Sequence, residues 1–160
     1  MYCLAFDHLS QYLNACAGTI CATTTCVLSV LTTAAVSAAD LAPWFDGGQR
    51  RRVLVVDDAE TLKDCPAAAW LADFVASCAE RGQALVAGGS SAELAHGFTG
   101  WHVDLRRGRC GALLSPQVPA EGDLIGAVVP RSSLSVRPRV GVAQVNVGDG
   151  VVQPAQVPLP

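Results

Sequence analysis

An α/β fold built on a buried parallel sheet is the class this sequence predicts, and three observations predict it. Val53-Leu54-Val55-Val56 and Ala84-Leu85-Val86-Ala87 are apolar without alternation, as strands covered on both faces must be. Between them Leu71, Phe74, Val75 and Cys78 recur at +3, +4 and +7, a helical stripe facing a core. Hydrophobic residues make up 51% and charged residues 16% of 160 positions, which suits one packed domain and rules out wholesale disorder.

Residues 34–160 read as alternating helices and strands. Ala34–Phe45 fits a helix broken by Pro43, and Arg52–Val56 fits the first buried strand, with Asp57-Asp58 at its carboxyl end. Asp64 or Cys65 can cap a helix over 67–81, with Pro66 in its first turn and Gly82 as its stop. After the strand at Ala84–Ala87, Gly88-Gly89 turns the chain, and Ser90 with Glu93 forms a capping box for a short helix to His96. Trp101–Arg107 is ambiguous between helix and strand, and Ala112–Leu114 reads as a third strand. Beyond Pro116 short Val-rich strands are expected at Leu124–Val129 and Val140–Val147. The strands at 52–56, 84–87 and 112–114 are expected to be parallel neighbours, with helix 67–81 on one face.

Residues 1–33 form a separate, unassigned extension in this reading. Leu9 to Ala39 is 31 residues without a charge, long enough to span a bilayer, but Thr and Ser interrupt it. A signal peptide fits less well, because Asp7 precedes the apolar stretch and no basic residue does. The low charge and the Cys and Thr content also suit a mis-assigned start. No amphipathic stripe emerges, so this segment is expected to pack outside the core, and a chain starting at Ala34 is expected to be as soluble as the whole. The expected location is the cytoplasm, with membrane association if the segment spans.

Eleven basic and fourteen acidic residues give a net charge of −3, which excludes a basic nucleic-acid-coating protein. Seven cysteines, with Cys16, Cys21 and Cys26 spaced by five, do not match zinc-ligand spacing and read as reduced thiols.

Three constellations could carry chemistry. Asp57 and Asp58 end a buried apolar strand, where two carboxylates are costly unless a cation meets them. A hydrated magnesium ion suits such oxygen ligands, with Asp57 as metal ligand through water and Asp58 as the catalytic acid that polarises an attacking water. This is the form of a Walker B strand, and its competitor is a pair of solvated, turn-capping acids. A receiver-like reading would use Asp104 as phosphoacceptor, but it needs a lysine on a late strand, and Lys63 is the only lysine. Gly88-Gly89-Ser90-Ser91-Ala92 loosely matches a nucleophile elbow, yet no histidine follows His102 and helix capping explains Ser90.

With those residues in hand, the chain resembles the part of FtsK/SpoIIIE-type ATPases from the Walker B strand onward. The resemblance rests on Arg52–Glu60, on Ala84–Gly88, on Arg106-Arg107-Gly108-Arg109-Cys110-Gly111-Ala112-Leu113-Leu114-Ser115-Pro116, and on Gly122–Gly126 followed by Pro130-Arg131. It is nearest to actinobacterial versions, the FHA-linked proteins and the EccC motors of type VII secretion. It implies a partial RecA-like, P-loop-type parallel sheet with flanking helices and a short β-rich tail. It further implies magnesium and ATP as cofactors, motor subunits or a ring oligomer as partners, and DNA or a secreted protein as cargo.

The chain departs from that pattern in ways that bear on activity. No G-x-x-x-x-G-K-[ST] occurs, since Leu62 precedes Lys63, so no Walker A backbone and lysine can cradle phosphates. Asp58 stands where active motors carry glutamate, Gly88-Gly89-Ser90 replaces a Thr-Gln sensor, and Arg137-Pro138-Arg139-Val140-Gly141 only approximates a P-G-R-G turn. The sequence therefore reads as a truncated or degenerate motor domain that is not catalytic alone. The alternative is a protein-binding or regulatory module that keeps the sheet and uses no nucleotide.

Overall fold

The computed structural model describes residues 2–5, 27–31, 35–45, 52–134, 137, 139 and 141–156. Its strands are β1 (Tyr2–Ala5), β2 (Val27–Leu31), β3 (Arg52–Val56), β4 (Ala84–Ala87), β5 (Cys110–Leu114), β6 (Val142–Val147) and β7 (Gln153–Gln156). The helices are α1 (Ala38–Phe45), α2 (Ala68–Ser77), α3 (Ser91–Ala95) and α4 (Trp101–Arg106), with 3-10 segments at Ala59–Leu62, Pro119–Ile125 and Arg131–Ser133. Among the described residues the strands form one sheet in the order β2-β3-β4-β1-β5-β6-β7.

The first five strands in that order are parallel, and β6 and β7 add antiparallel. This is the α/β class that the unbroken apolar runs require. Leu54, Val55 and Val56 are all at most 1% exposed, so that part of β3 is covered on both faces, while in β4 Leu85 and Ala87 are buried and Ala84 and Val86 half-buried. Leu54, Val56, Leu85 and Ala87 join the main core with α2 and α4, while Val55 packs on the other face with Val53, Val86 and Leu114.

Two expectations are corrected by this topology. β3 and β4 are direct neighbours, with Val53 opposite Ala84, but β5 is not next to β4. Instead β1 lies between them, with Cys3 opposite both Ala87 and Gly111. The segment 1–33 therefore contributes to the sheet, since Val27–Leu31 also pairs with Arg52–Val56 in parallel. An uninterrupted span from Leu9 to Ala39 is not formed either, because Val27–Leu31 is a strand and α1 is a separate helix. No helix of the described residues is long and apolar enough to cross a membrane. The cysteines at 16, 21 and 26 and the rest of 6–26 lie outside the described residues.

Several boundaries also shift. α1 starts at Ala38 because the Asp40 carboxylate accepts the Ser37 N–H at 2.9 Å and the Ser37 hydroxyl at 2.6 Å. The hydroxyl first, and then the amide, hold the Asp40 carboxyl below its ordinary value. Pro43 sits inside α1 and does not end it. α2 spans 68–77 and not 67–81, and neither Asp64 nor Cys65 caps it through a side chain; the Cys65 carbonyl accepts the Ala68 N–H at 2.9 Å. Gly82, at φ 65°, turns the chain back toward β4, a conformation that favours glycine. Trp101–Arg106 resolves as helix. Leu124–Val129 is not a strand: its leucine and isoleucine close the 3-10 segment Pro119–Ile125, which turns out through Gly126. Val142–Val147 is a strand as expected, within the broader run.

The stripe on α2 faces the core: Leu71, Phe74, Val75 and Cys78 are all buried. Phe74 meets Phe45 edge-on at 4.9 Å between ring centres and stacks on Trp70 at 5.1 Å, tying α1 to α2. The Gln83 amide reinforces that junction by donating to the Phe45 carbonyl at 3.0 Å. Leu71→Ala or Phe74→Ala is expected to lower stability by about 2–5 kcal/mol. Urea denaturation checks this, and an unchanged midpoint would show that the stripe does not bear on the core.

Candidate functional site at the carboxyl end of the parallel strands

The site is built where β3 and β4 end together. The Gly88 N–H donates to the Val56 carbonyl at 2.8 Å, and the Ala59 N–H donates to the Gly88 carbonyl at 2.9 Å. These two bonds clamp the turn after β3 to the turn after β4. Asp57 is 3% exposed in the clamp, and Asp58 stands beside it in solvent. The two predicted site residues are therefore adjacent in space but differ in environment.

Asp58 holds left-handed backbone, at φ 51° and ψ 49°, which non-glycine residues adopt at some cost and aspartate better than most. That twist lets its carbonyl accept both the N–H and the hydroxyl of Thr61 at 2.8 Å, opening the 3-10 segment. The segment is pinned from below by Trp101, fully buried, whose indole N–H donates to the Leu62 carbonyl at 3.1 Å.

Glu60 is a third acid that sequence reasoning did not single out as a site residue. Its Oε1 accepts the Ser90 N–H at 3.4 Å, and its Oε2 is buried without a hydrogen-bond partner. The carboxylate fills the space over Gly89, where a Cβ would come within 2.1 Å of Oε2. The signal was present: a glutamate two residues past the acid pair, facing a glycine pair after the next strand. Ser90 and Glu93 make no capping box, because Glu60 takes the amide that α3 offers. Gly89→Ala is expected to destabilise the fold by about 1–3 kcal/mol through this clash. The double variant Gly89→Ala with Glu60→Ala recovers most of the loss. Equal destabilisation in the single and double variants would place the strain elsewhere.

The other candidates do not converge on the acid pair. Lys63 donates its ammonium to the Glu93 carbonyl and serves the end of α3. Arg106 does likewise, donating to the carbonyls of Ala95 and Gly97 at 3.0 Å each. Asp104 lies on α4, paired with Arg107 at 2.6 Å, and not at a strand end where a phosphoacceptor belongs. Arg52 opens β3 and so stands at the far end of that strand from Asp57.

Asp57 and Asp58 could hold a hydrated cation, whereas the described donors nearest in sequence are engaged elsewhere. Asp57 and Asp58 supply the hard oxygen donors that magnesium takes through its waters. A phosphate would need donors, but the Ser90 amide faces Glu60 and Lys63 is engaged at α3. Three carboxylates around the turn repel anions besides.

No sequence-family profile and no curated protein matches the chain. Solved structures do share its architecture. The structure of EssC ATPases 2 and 3 from Geobacillus thermodenitrificans superposes with a TM-score of 0.65, covering 98% of this chain and 36% of that one at 15% identity. The chain has the fold of an EssC ATPase domain. A structure of the cytoplasmic domain of EssC agrees, with a TM-score of 0.51, 98% and 33% coverage and 15% identity. This chain thus spans about a third of the length of the EssC structures it resembles.

Proposed function

We propose that this chain is a truncated or degenerate FtsK/SpoIIIE-type ATPase domain, a part of a translocating motor that does not hydrolyse ATP by itself. The acid pair at the end of β3 carries this reading, because among the described residues Lys63 is engaged at α3 and the Ser90 amide faces Glu60. The EssC-type fold supports the motor reading, as do the Arg106–Pro116 and Gly122–Gly126 blocks. Asp57 is the residue to hold a hydrated magnesium ion, and Asp58 stands in the position of the second acid. A magnesium ion held there would neutralise the charge of a transferred phosphoryl group. Here the phosphate cradle must come from other residues or from a neighbouring subunit, which makes a ring or multi-subunit motor the natural setting. The cargo is DNA or a secreted protein, type VII secretion being the nearest resemblance, and the site of action is cytoplasmic, with membrane association through partner domains.

Calorimetric titration of magnesium, with and without ATP, into the full chain and into Asp57→Ala tests the site. Weak magnesium binding that Asp57→Ala removes, with little added by ATP, is the expected result. Tight binding of magnesium with ATP would require a phosphate site in the isolated chain. Binding unaltered by the substitution would leave the acids a turn-capping role and favour the nucleotide-free module.

A further inference from the structure

The loop between α3 and α4 closes over a buried histidine whose ring is left without a hydrogen bond. His102, the second residue of α4, is 6% exposed, and neither Nδ1 nor Nε2 makes a hydrogen bond. Two glycines of the His96-Gly97-Phe98-Thr99-Gly100 loop roof its ring. A Cβ at Gly97 would lie 3.1 Å from Nε2, and one at Gly100 would lie 3.2 Å from Nδ1. Both glycines have positive φ, 101° and 107°, so the loop reaches the ring through a backbone shape that side chains disfavour. Arg106 holds the other side of the loop through the carbonyls of Ala95 and Gly97.

The groups facing the ring come from each packed element. Lys63 and Asp64 approach from the turn after the 3-10 segment, Arg106 from α4 itself, and the His96 backbone from the end of α3. Burial first, and then Lys63, hold the imidazole below its ordinary value, with Arg106 acting in the same sense; the His96 carbonyl and Asp64 oppose them and do not prevail. An imidazolium carries two N–H donors and a charge. This pocket sets two neighbouring cations against the His96 carbonyl and Asp64, and neither ring nitrogen is hydrogen-bonded in it, so a protonated ring is better satisfied by water.

We propose that His102 is the pin of a proton-released clasp: gaining a proton drives the ring from its pocket and frees the Gly97–Gly100 loop, which carries the fully exposed Phe98. The inference is independent of any nucleotide role, since the ring belongs to the α3–α4 junction and not to the acid pair. Because the folded value lies below that of the unfolded chain, the stabilisation is complete above about pH 6.5 and is lost as the pH falls below it.

Hydrogen exchange of the full chain, read by NMR as protection factors at about pH 7.5 and about pH 5.5, tests the clasp. In the wild type, protection of amides 97–103 is expected to fall by up to about tenfold per pH unit, while β3 and β4 keep theirs. His102→Gln removes this response and His96→Gln, at an exposed ring, retains it. An equal fall in His102→Gln, or a fall shared by β3 and β4, would overturn the proposal. Should His102→Gln fail to fold, the wild-type His102 Cε1–H titration decides. A midpoint below the unfolded-chain value is expected, and a midpoint at or above it refutes the clasp.

Discussion

Removing residues 1–33 is expected to abolish cooperative folding of the rest of the chain. β1 lies between β4 and β5, registering two residue pairs with the first and three with the second. Its loss would leave two interior strands with bare edges, and each buried peptide group without a partner costs about 1–3 kcal/mol. A few such groups exceed the roughly 5–15 kcal/mol by which an ordinary domain is stable. The point substitution Cys3→Pro probes the same strand with less disruption, because proline removes a ladder donor and fits poorly in a central strand. Cys3 faces Ala87 on one side and Gly111 on the other, so the effect should be large. Thermal melting by circular dichroism is the measurement. A chain lacking 1–33 that still melts sharply near the full-length midpoint would show that the sheet does not need β1.

The second large effect is expected at Asn146. It is 1% exposed on β6, and its side chain is fully used. The amide donates to the Arg109 carbonyl at 2.8 Å and to the Ile125 carbonyl at 2.7 Å, and the oxygen accepts the N–H groups of Gly148 and Gly150 at 3.0 and 3.1 Å. One side chain thereby fastens the turn before β5, the end of the 119–125 segment and the turn after β6. Asn146→Leu strands all four groups. Counting about 1.5–2 kcal/mol for each carbonyl and about 0.5–1 kcal/mol for each turn amide gives a loss of about 4–6 kcal/mol. For a chain of this size that is a fall of roughly 8–24 °C in Tm. Asn146→Asp keeps the acceptor but sets a buried carboxylate oxygen against the Arg109 and Ile125 carbonyls, so it is expected to cost at least as much. An unchanged midpoint in Asn146→Leu would show that these four bonds do not bear on stability.

How much of this was legible in the sequence follows from what each signal depends on. β3, β4 and α2 could be read because burial of whole strands and of one helical face leaves a local pattern, in Val53–Val56, Ala84–Ala87 and Leu71 to Cys78. The place of β1 could not. Tyr2–Ala5 is too short to show a period, an interior parallel strand does not alternate, and its neighbours are some 80 and 110 residues away in sequence. The adjacency expected of β4 and β5 rested on sequential strands pairing, a tendency that a crossover strand defeats. Leu124–Val129 carried strand-forming residues, but Gly122 and Gly126 in a tight turn outweighed them: a Cβ at Gly122 would meet the Ala127 carbonyl at 2.1 Å. Asp57 and Asp58 were found because charge after an apolar run is conspicuous. Glu60 was passed over because its role depends on Gly89, which is distant in sequence and adjacent only after folding.

ATP turnover by the purified full chain in the presence of magnesium tests the central claim most directly. Asp57 and Asp58 stand at the end of β3, but among the described residues Lys63 is engaged at α3 and the Ser90 amide faces Glu60, and positioning with charge stabilisation is most of what phosphoryl transfer needs. Hydrolysis no faster than the buffer background is expected, for the wild type and for Asp57→Ala alike. Robust turnover by the wild type that Asp57→Ala abolishes would contradict it.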